Sequence, residues 1–174
     1  RLMGECDDPE FPGHLSRLIR EDPSVPVIRE AMAAAAKRKY PVLVRDLLAR
    51  LCCKNTKGEA RWALIGYGEA AVEELGKALF KPETLRDIRL NIPRTLSRIG
   101  SQSAMDALLA GLSLEDDSVR HKIILALEEM AHRFPVLEAN REIVESAMIS
   151  EAKRYYRRSA AFFVLFGDGE KLPT

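Results

Sequence analysis

The feature that most constrains this chain is a stretch of helical sequence written more than once between Thr56 and Met130. Leu64-Ile65-Gly66-Tyr67-Gly68 is matched 32 residues later by Leu96-Ser97-Arg98-Ile99-Gly100. Leu127-Glu128-Glu129-Met130-Ala131 fills the same slot 31 residues after that. Ile88-Arg89 and Val119-Arg120 match each other at the same offset. A glycine that closes an amphipathic run, at Gly68 and again at Gly100, suits a helix whose last residue turns left-handed before a second helix. The repeating unit is therefore a helix pair of about 30–33 residues, which cannot bury its apolar face alone and must stack on its neighbours. No segment sustains the apolar–polar alternation of a strand. The chain reads as all-α, with about ten helices in about five pairs.

Local signals place these helices. Residues 1–11 read as an irregular acidic lead-in. Pro12 suits the first turn of a helix to about Arg20, with Leu15, Leu18 and Ile19 on its apolar side. Ser24 and Pro26 open the next, whose stripe is Val25, Ile28, Met32, Ala35 and Ala36. Pro41 opens its partner, carrying Val44, Leu47, Leu48 and Leu51. Thr84, with Asp87 three residues on, reads as an N-cap, and so does Ser118. Pro93 lies in a run whose apolar residues (Ile88, Ile92, Leu96, Ile99) keep helical spacing on both sides, so one bent helix spans it. From Val136 to Phe166 there is neither Gly nor Pro. The repeat still predicts a break near Ser150, and the apolar run Ala160 to Phe166 predicts burial. One domain over residues 12–167 follows, with a tail at 168–174. A start at Arg1 rather than Met suggests a segment of a longer chain.

Asp117-Ser118-Val119-Arg120 and Asp87-Ile88-Arg89 at helix starts, and Leu96-Ser97-Arg98-Ile99-Gly100 at a helix end, resemble the HEAT-like repeats of bacterial proteins, including the type found in phycobilisome lyases. The resemblance covers about residues 22 to 166. It implies a right-handed α-solenoid. Residues 24–54, which lack the closing Gly, and the longer unit 136–166 depart from the pattern. Gly68, Gly100, Pro93, Arg89 and Arg120 are then positions of the repeat. Arg89 and Arg120, with Arg29, Lys57 and Arg157 near the same place in other units, read as structural cations that bind an Asp or backbone carbonyls of a neighbouring unit.

Composition excludes some functions. Lys plus Arg number 27 against 26 Asp plus Glu, so no overall field draws nucleic acid or an anionic membrane. Aromatics are 6% with one Trp, Trp62, which gives little for base stacking. Vicinal Cys52-Cys53 lies in an apolar helical run and, with Cys6, reads as reduced thiols of a cytosolic protein, at least one of them facing the core. No apolar run approaches the roughly 18 residues of a membrane span.

The chemical motifs are weak. Gly66-Tyr67-Gly68-Glu69-Ala70-Ala71 matches a relaxed dinucleotide fingerprint, which requires a preceding strand. The alignment of Gly68 with Gly100 favours a helix terminator instead. Glu129-Met130-Ala131-His132 has the Glu-x-x-His spacing of di-iron bundles, but the second copy and two further Glu such sites need are not evident. Pairing of His132 with Glu128 or Glu129 on a solvated face is expected, with no metal and no cofactor. Lys153-Arg154-Tyr155-Tyr156-Arg157-Arg158 reads as a solvated face with snorkelling stems. No Ser or Cys has an evident His and carboxylate beside it, so no catalytic residue is assigned.

In the repeat class that the chain resembles, the second helix of each pair lines a concave face. Its charged residues would be Arg45 and Arg50, then Glu69, Glu73, Glu74 and Lys77, then Asp106, and finally Glu142 and Glu145. A face running from basic to acidic suits a protein or peptide better than a nucleic-acid backbone, which wants continuous positive charge. The expected function is a non-enzymatic protein-interaction or scaffold module, cytoplasmic and without direct membrane insertion. It would stand alone or form a soluble domain of a larger bacterial protein such as a membrane transporter. A lyase or chaperone for a cofactor-bearing partner is implied by family analogy alone. The alternative is a HEAT-like DNA-binding protein or DNA glycosylase, for which Trp62, Tyr67, Asp106 and the Arg residues are the nearest raw material.

Overall fold

The computed structural model of the chain describes residues 9–166, and among these there are nine α-helices and no strand. They are α1 (Phe11–Glu21), α2 (Val25–Arg38), α3 (Val44–Ala49), α4 (Lys57–Tyr67), α5 (Glu69–Phe80), α6 (Arg86–Ile99), α7 (Gln102–Gly111), α8 (Asp117–Arg133) and α9 (Arg141–Phe166). The chain divides into two compact units, Arg1–Glu138 and Ala139–Thr174; the repeat predicts one span over 12–167.

In the first unit the helices form two rows. α2 packs on α4, α4 on α6 and α6 on α8, while α3 packs on α5 and α5 on α7. Leu64, Leu75, Leu79, Ile92, Leu96 and Leu108 are fully buried between the rows, and Leu15, Ile19 and Met32 fill the N-terminal end. Polar links join helices one period apart. Arg29 Nε lies 2.7 Å from Glu59 Oε1, Arg61 Nη2 donates to Asn91 Oδ1 at 2.8 Å, and Arg86 Nε donates to Asp116 Oδ2 at 2.8 Å. Arg45 Nε donates to Glu74 Oε2 at 2.9 Å in the other row.

The glycines end helices as the repeat predicts. Gly100 is left-handed at φ 69°, ψ 31°, and Gly68 takes φ 60°, ψ −133°, outside the reach of side-chain-bearing residues. Pro93 lies buried inside an unbroken α6. Several predicted details differ. The N-cap of α8 is Asp116, not Ser118: its Oδ1 accepts from the N–H groups of Ser118 and Val119 at 3.0 and 3.2 Å. Thr84 caps nothing, because its N–H is held in a turn by Lys81 O (3.0 Å) and α6 starts only after Leu85. Ser24 contributes no side-chain cap; its own N–H is taken by Asp22 Oδ1 at 2.8 Å. The helix expected from Pro41 is a short α-turn flanked by 3-10 turns at Pro41–Leu43 and Arg50–Cys52.

The largest correction is in α9. There is no break near Ser150, and the helix is continuous from Arg141 to Phe166, which makes nine helices rather than about ten. Asn140 Oδ1 accepts from the N–H groups of Glu142 and Ile143, so the helix starts at Arg141. With neither Gly nor Pro in the run, no local chemistry interrupts it. Ala160 is exposed, and the side chains at 161–166 lie outside the described residues. So do Cys6 and the tail 168–174. Neither Cys52 nor Cys53 is buried: they close the 3-10 turn as half-exposed free thiols, 3.9 Å apart.

Asp116 yields a pH prediction. The Arg86 guanidinium, and then the two capping N–H groups, hold its carboxyl down to about 2. A carboxyl depressed in the folded state stabilises above its unfolded pKa of about 4, and that stabilisation is lost as pH falls toward 2. Asp116→Asn keeps a capping acceptor and loses the charge that Arg86 holds, so it is expected to cost about 1 kcal/mol at pH 7, in the range of a partly exposed ion pair. Urea midpoints of the two proteins should converge between pH 5 and about 2; a gap independent of pH would overturn the assignment.

Candidate functional site

Four of the nine predicted partner-binding residues are engaged with one another. On α3 and α5, Arg45 holds Glu74, and Lys77 Nζ reaches Glu73 at 2.6 Å and Glu74 at 3.4 Å. The Arg45 hydrogen bond lowers the Glu74 pKa, and the same contact raises that of Arg45. This cluster has two positive and two negative charges and is self-neutralised. Glu69 accepts from the Ser103 hydroxyl of α7, which lowers its pKa, and Asp106 accepts from Gln102 at 2.9 Å. Arg50 Nε donates to Ile19 O at 2.6 Å and so closes the last turn of α1. Glu142 and Glu145 lie on α9 in the second unit, with Glu145 held by Arg141 at 2.7 Å.

The opposite row is charged differently. α4, α6 and α8 carry nine Lys and Arg against five Asp and Glu, whereas α3, α5 and α7 carry two against five. Ala60, Ala63 and Leu64 turn one face of α4 into the core, which leaves Arg61, Trp62 and Ile65 on the outer side. Arg94 and Arg98 stand one turn apart on α6, and Arg133 ends α8. With Gly58 these residues line a groove of about 190 Å³. Trp62 is 71% exposed beside it, a large cost in wetted apolar surface for a residue that packing alone would bury.

The guanidiniums in this groove are crowded. Burial lowers the pKa of Arg61, and the charges of Arg94 and Arg98 lower it further. Its Nε is buried with no hydrogen-bond partner. Glu129 is the one carboxylate within reach. Its Oε1 lies 2.7 Å from Arg98 Nε and 3.4 Å from Arg133 Nη1, while Oε2 accepts from Ser97 Oγ at 3.0 Å. Glu129 therefore pairs with arginines rather than with His132, which is exposed. Arg94 is exposed and, among the described residues, pairs with no carboxylate. A second groove of about 200 Å³ shares Arg94 with the first and continues along Leu90, Lys122, Leu125, Ala126 and Glu129. Among the described residues, the four guanidiniums of the first groove share one carboxylate, which leaves that groove with an excess of positive charge.

The remaining motifs fall into place. Gly66-Tyr67-Gly68 follows a helix, so the strand a dinucleotide site requires is missing. Tyr67 is buried, its hydroxyl donates to Tyr40 O at 3.0 Å, and burial pushes its pKa up to about 12. Tyr67 and Asp106 thus stand apart from the groove that Trp62 borders. The repeated arginines serve different ends. Arg120 is buried, donates to Leu114 O at 2.6 Å and pairs with Asp117. Arg29 does reach across, to Asn55 O and Glu59. Arg89 Nε is buried without a partner. Lys57 and Arg157 are exposed. In the 153–158 cluster, Tyr155 and Tyr156 are exposed and Arg154 reaches Glu151 at 3.3 Å; the Arg158 side chain lies outside the described residues.

The groove residues escape a search by repeat slot. Arg94 aligns with Trp62 and Leu125, and Arg98 with Gly66 and Glu129, so no ladder of like residues marks them. The available signal is the four-residue spacing of Arg94 and Arg98 in a helix whose core positions are already filled. No family model matches the chain, and no curated protein matches it in sequence.

Proposed function

We propose that the chain is a non-enzymatic binding module, a short HEAT-like α-solenoid that offers the arginine groove of α4, α6 and α8 to an anionic protein or peptide. Stacked rows α2–α4–α6–α8 and α3–α5–α7, with polar links 29 to 31 residues apart, support the solenoid reading. The observation that carries the functional reading is the set Arg61, Arg94, Arg98 and Arg133 beside exposed Trp62, four guanidiniums that share the single carboxylate of Glu129 among the described residues. An exposed aromatic anchor flanked by arginines is the composition of interface hot spots. No described helix is long and apolar enough to cross a membrane, in keeping with a cytoplasmic module or a soluble domain of a larger protein. A nucleic-acid groove is the second reading, favoured by the indole of Trp62 beside guanidiniums.

The test is fluorescence anisotropy of a labelled poly-glutamate peptide at low salt. The intact chain should bind it, with affinity falling as salt screens the contacts. Arg94→Glu, at an exposed position, is expected to weaken binding at least tenfold, since one charged hydrogen bond contributes about 1.5–3 kcal/mol. Glu73→Lys on the opposite row should leave it within about twofold, in line with an exposed charge. The reverse pattern would place the binding face on α3, α5 and α7 and sink this reading.

A further inference from the structure

We infer that the groove is a receptor for one phosphomonoester carried on a protein segment, a phosphoserine, phosphothreonine or phosphotyrosine whose flanking apolar residue packs on Trp62. This rests on the binding-module reading and names its ligand. Size argues first. Pockets that enclose whole small molecules run to roughly 300–1,000 Å³. At about 190 Å³ this groove takes a single group of a larger partner.

The donor set argues next. Every cation lining the groove is arginine, and none is lysine. The planar guanidinium fork matches the oxygens of a phosphoryl group two at a time, which an ammonium point charge does not. Arg61, Arg94 and Arg98 all line this one groove, and the charges of Arg94 and Arg98 both act on Arg61. A carboxylate brings one charge and two oxygens to such a site. A phosphomonoester brings about −1.5 to −2 and three strong acceptor oxygens, enough for more than one fork. Arg61, held at Nη2 by Asn91 Oδ1, lines the wall that such oxygens would meet.

Glu129 argues against a polyanion. It is fixed by Ser97, Arg98 and Arg133, at the junction between this groove and the next. A nucleic-acid backbone running along α6 and α8 would meet its carboxylate, whereas a lone phosphoryl group held by Arg61, Arg94 and Arg98 does not need to pass it. Trp62 and Ile65 supply the apolar wall for the neighbouring residue of the peptide, and a rigid indole does so with little loss of rotamer freedom.

Trp62 is the chain's only Trp, so its fluorescence reports the site directly. The experiment titrates the whole chain with three peptides identical except at the centre, which is phosphoserine, glutamate or serine between leucines. Single-stranded oligothymidylate and inorganic phosphate are the remaining arms. The phosphopeptide should change Trp62 fluorescence and bind at least tenfold tighter than the glutamate peptide, with the serine peptide weaker still. Arg94→Ala should remove most of that preference while the urea midpoint stays unchanged, and Trp62→Ala should weaken both charged peptides alike, read by anisotropy. Equal affinity for phosphoserine and glutamate would overturn the phosphoryl assignment and leave the binding module standing. Oligothymidylate binding tighter than the phosphopeptide, and lost in Arg94→Ala, would assign the groove to nucleic acid. Inorganic phosphate as tight as the peptide would remove the protein segment from the proposal. Silence with every probe would overturn both this inference and the module reading.

Discussion

Gly100→Ala is expected to destabilise the first unit by roughly 3 kcal/mol, the combined cost of a left-handed backbone and an overfilled contact. Gly100 sits at φ 69°, ψ 31°, where an alanine costs about 1–2 kcal/mol by itself. An added Cβ would also fall on the ring of Phe134, with Cε1 at 2.8 Å. That ring cannot move aside freely. Phe134 ends α8, its N–H is held by Met130 O at 2.8 Å, and Arg133 stacks on it with Cζ 5.4 Å from the centroid. The ends of α6 and α8 are therefore sealed by one aromatic contact that only glycine admits. A double-mutant cycle separates the two costs. In a Phe134→Ala background, Gly100→Ala should cost only about 1 kcal/mol, the backbone part. An undiminished penalty in that background would show that the ring plays no role. Because Arg133 lines the groove, the single substitution should also weaken acidic-peptide binding.

The slot that Gly100 fills was legible in the chain, and the reason is physical. A helix that must end before a tight turn has few residues to choose from, so Gly68 and Gly100 recur at the period and mark the unit. Pro93 was legible for a similar reason, since apolar residues kept their spacing across it. Capping was less legible. Asp116, Asp117 and Ser118 all accept from helix N–H groups in general, and the choice of Asp116 depends on Arg86 reaching it from the neighbouring unit. The end of the chain misled because the period was extended past its support. Nothing between Val136 and Phe166 can stop a helix, and α9 runs through the expected break.

The candidate site was half visible. Residues such as Glu73, Glu74 and Lys77 could be recognised as exposed charges of second helices. Their neutralisation could not, because the decisive partner, Arg45, lies 29 residues away from Glu74. Of the residues named for the alternative DNA reading, Trp62 borders the groove while Tyr67 and Asp106 do not line it. Arg61, Arg94, Arg98 and Arg133 were not brought together, because they come from three helices and from different repeat slots. Only the stacking of α4 on α6 and α6 on α8 makes them neighbours. What a repeat conserves in sequence is its packing, and what varies between units is where an anion would be read.

Arg120 and Arg89 test that distinction within one slot. Both are the fourth residue of their helices, 31 residues apart, yet their surroundings differ. Arg120 is 3% exposed, bonded to Leu114 O and paired with Asp117, so Arg120→Met should cost about 2–4 kcal/mol. The lower end of that range reflects Asp117, which at 44% exposure can be rehydrated, while the Leu114 carbonyl is left without its guanidinium donor. Arg89 is half-buried with Nε unpartnered. Its replacement by methionine removes an unsatisfied donor and keeps the stem's packing, so Arg89→Met should change stability by less than about 0.5 kcal/mol or raise it. Urea midpoints of the two variants decide the matter. Comparable losses would mean that the slot is structural wherever it recurs. A loss at Arg120 alone would mean that the slot is structural in α8, where the guanidinium has partners, and not in α6.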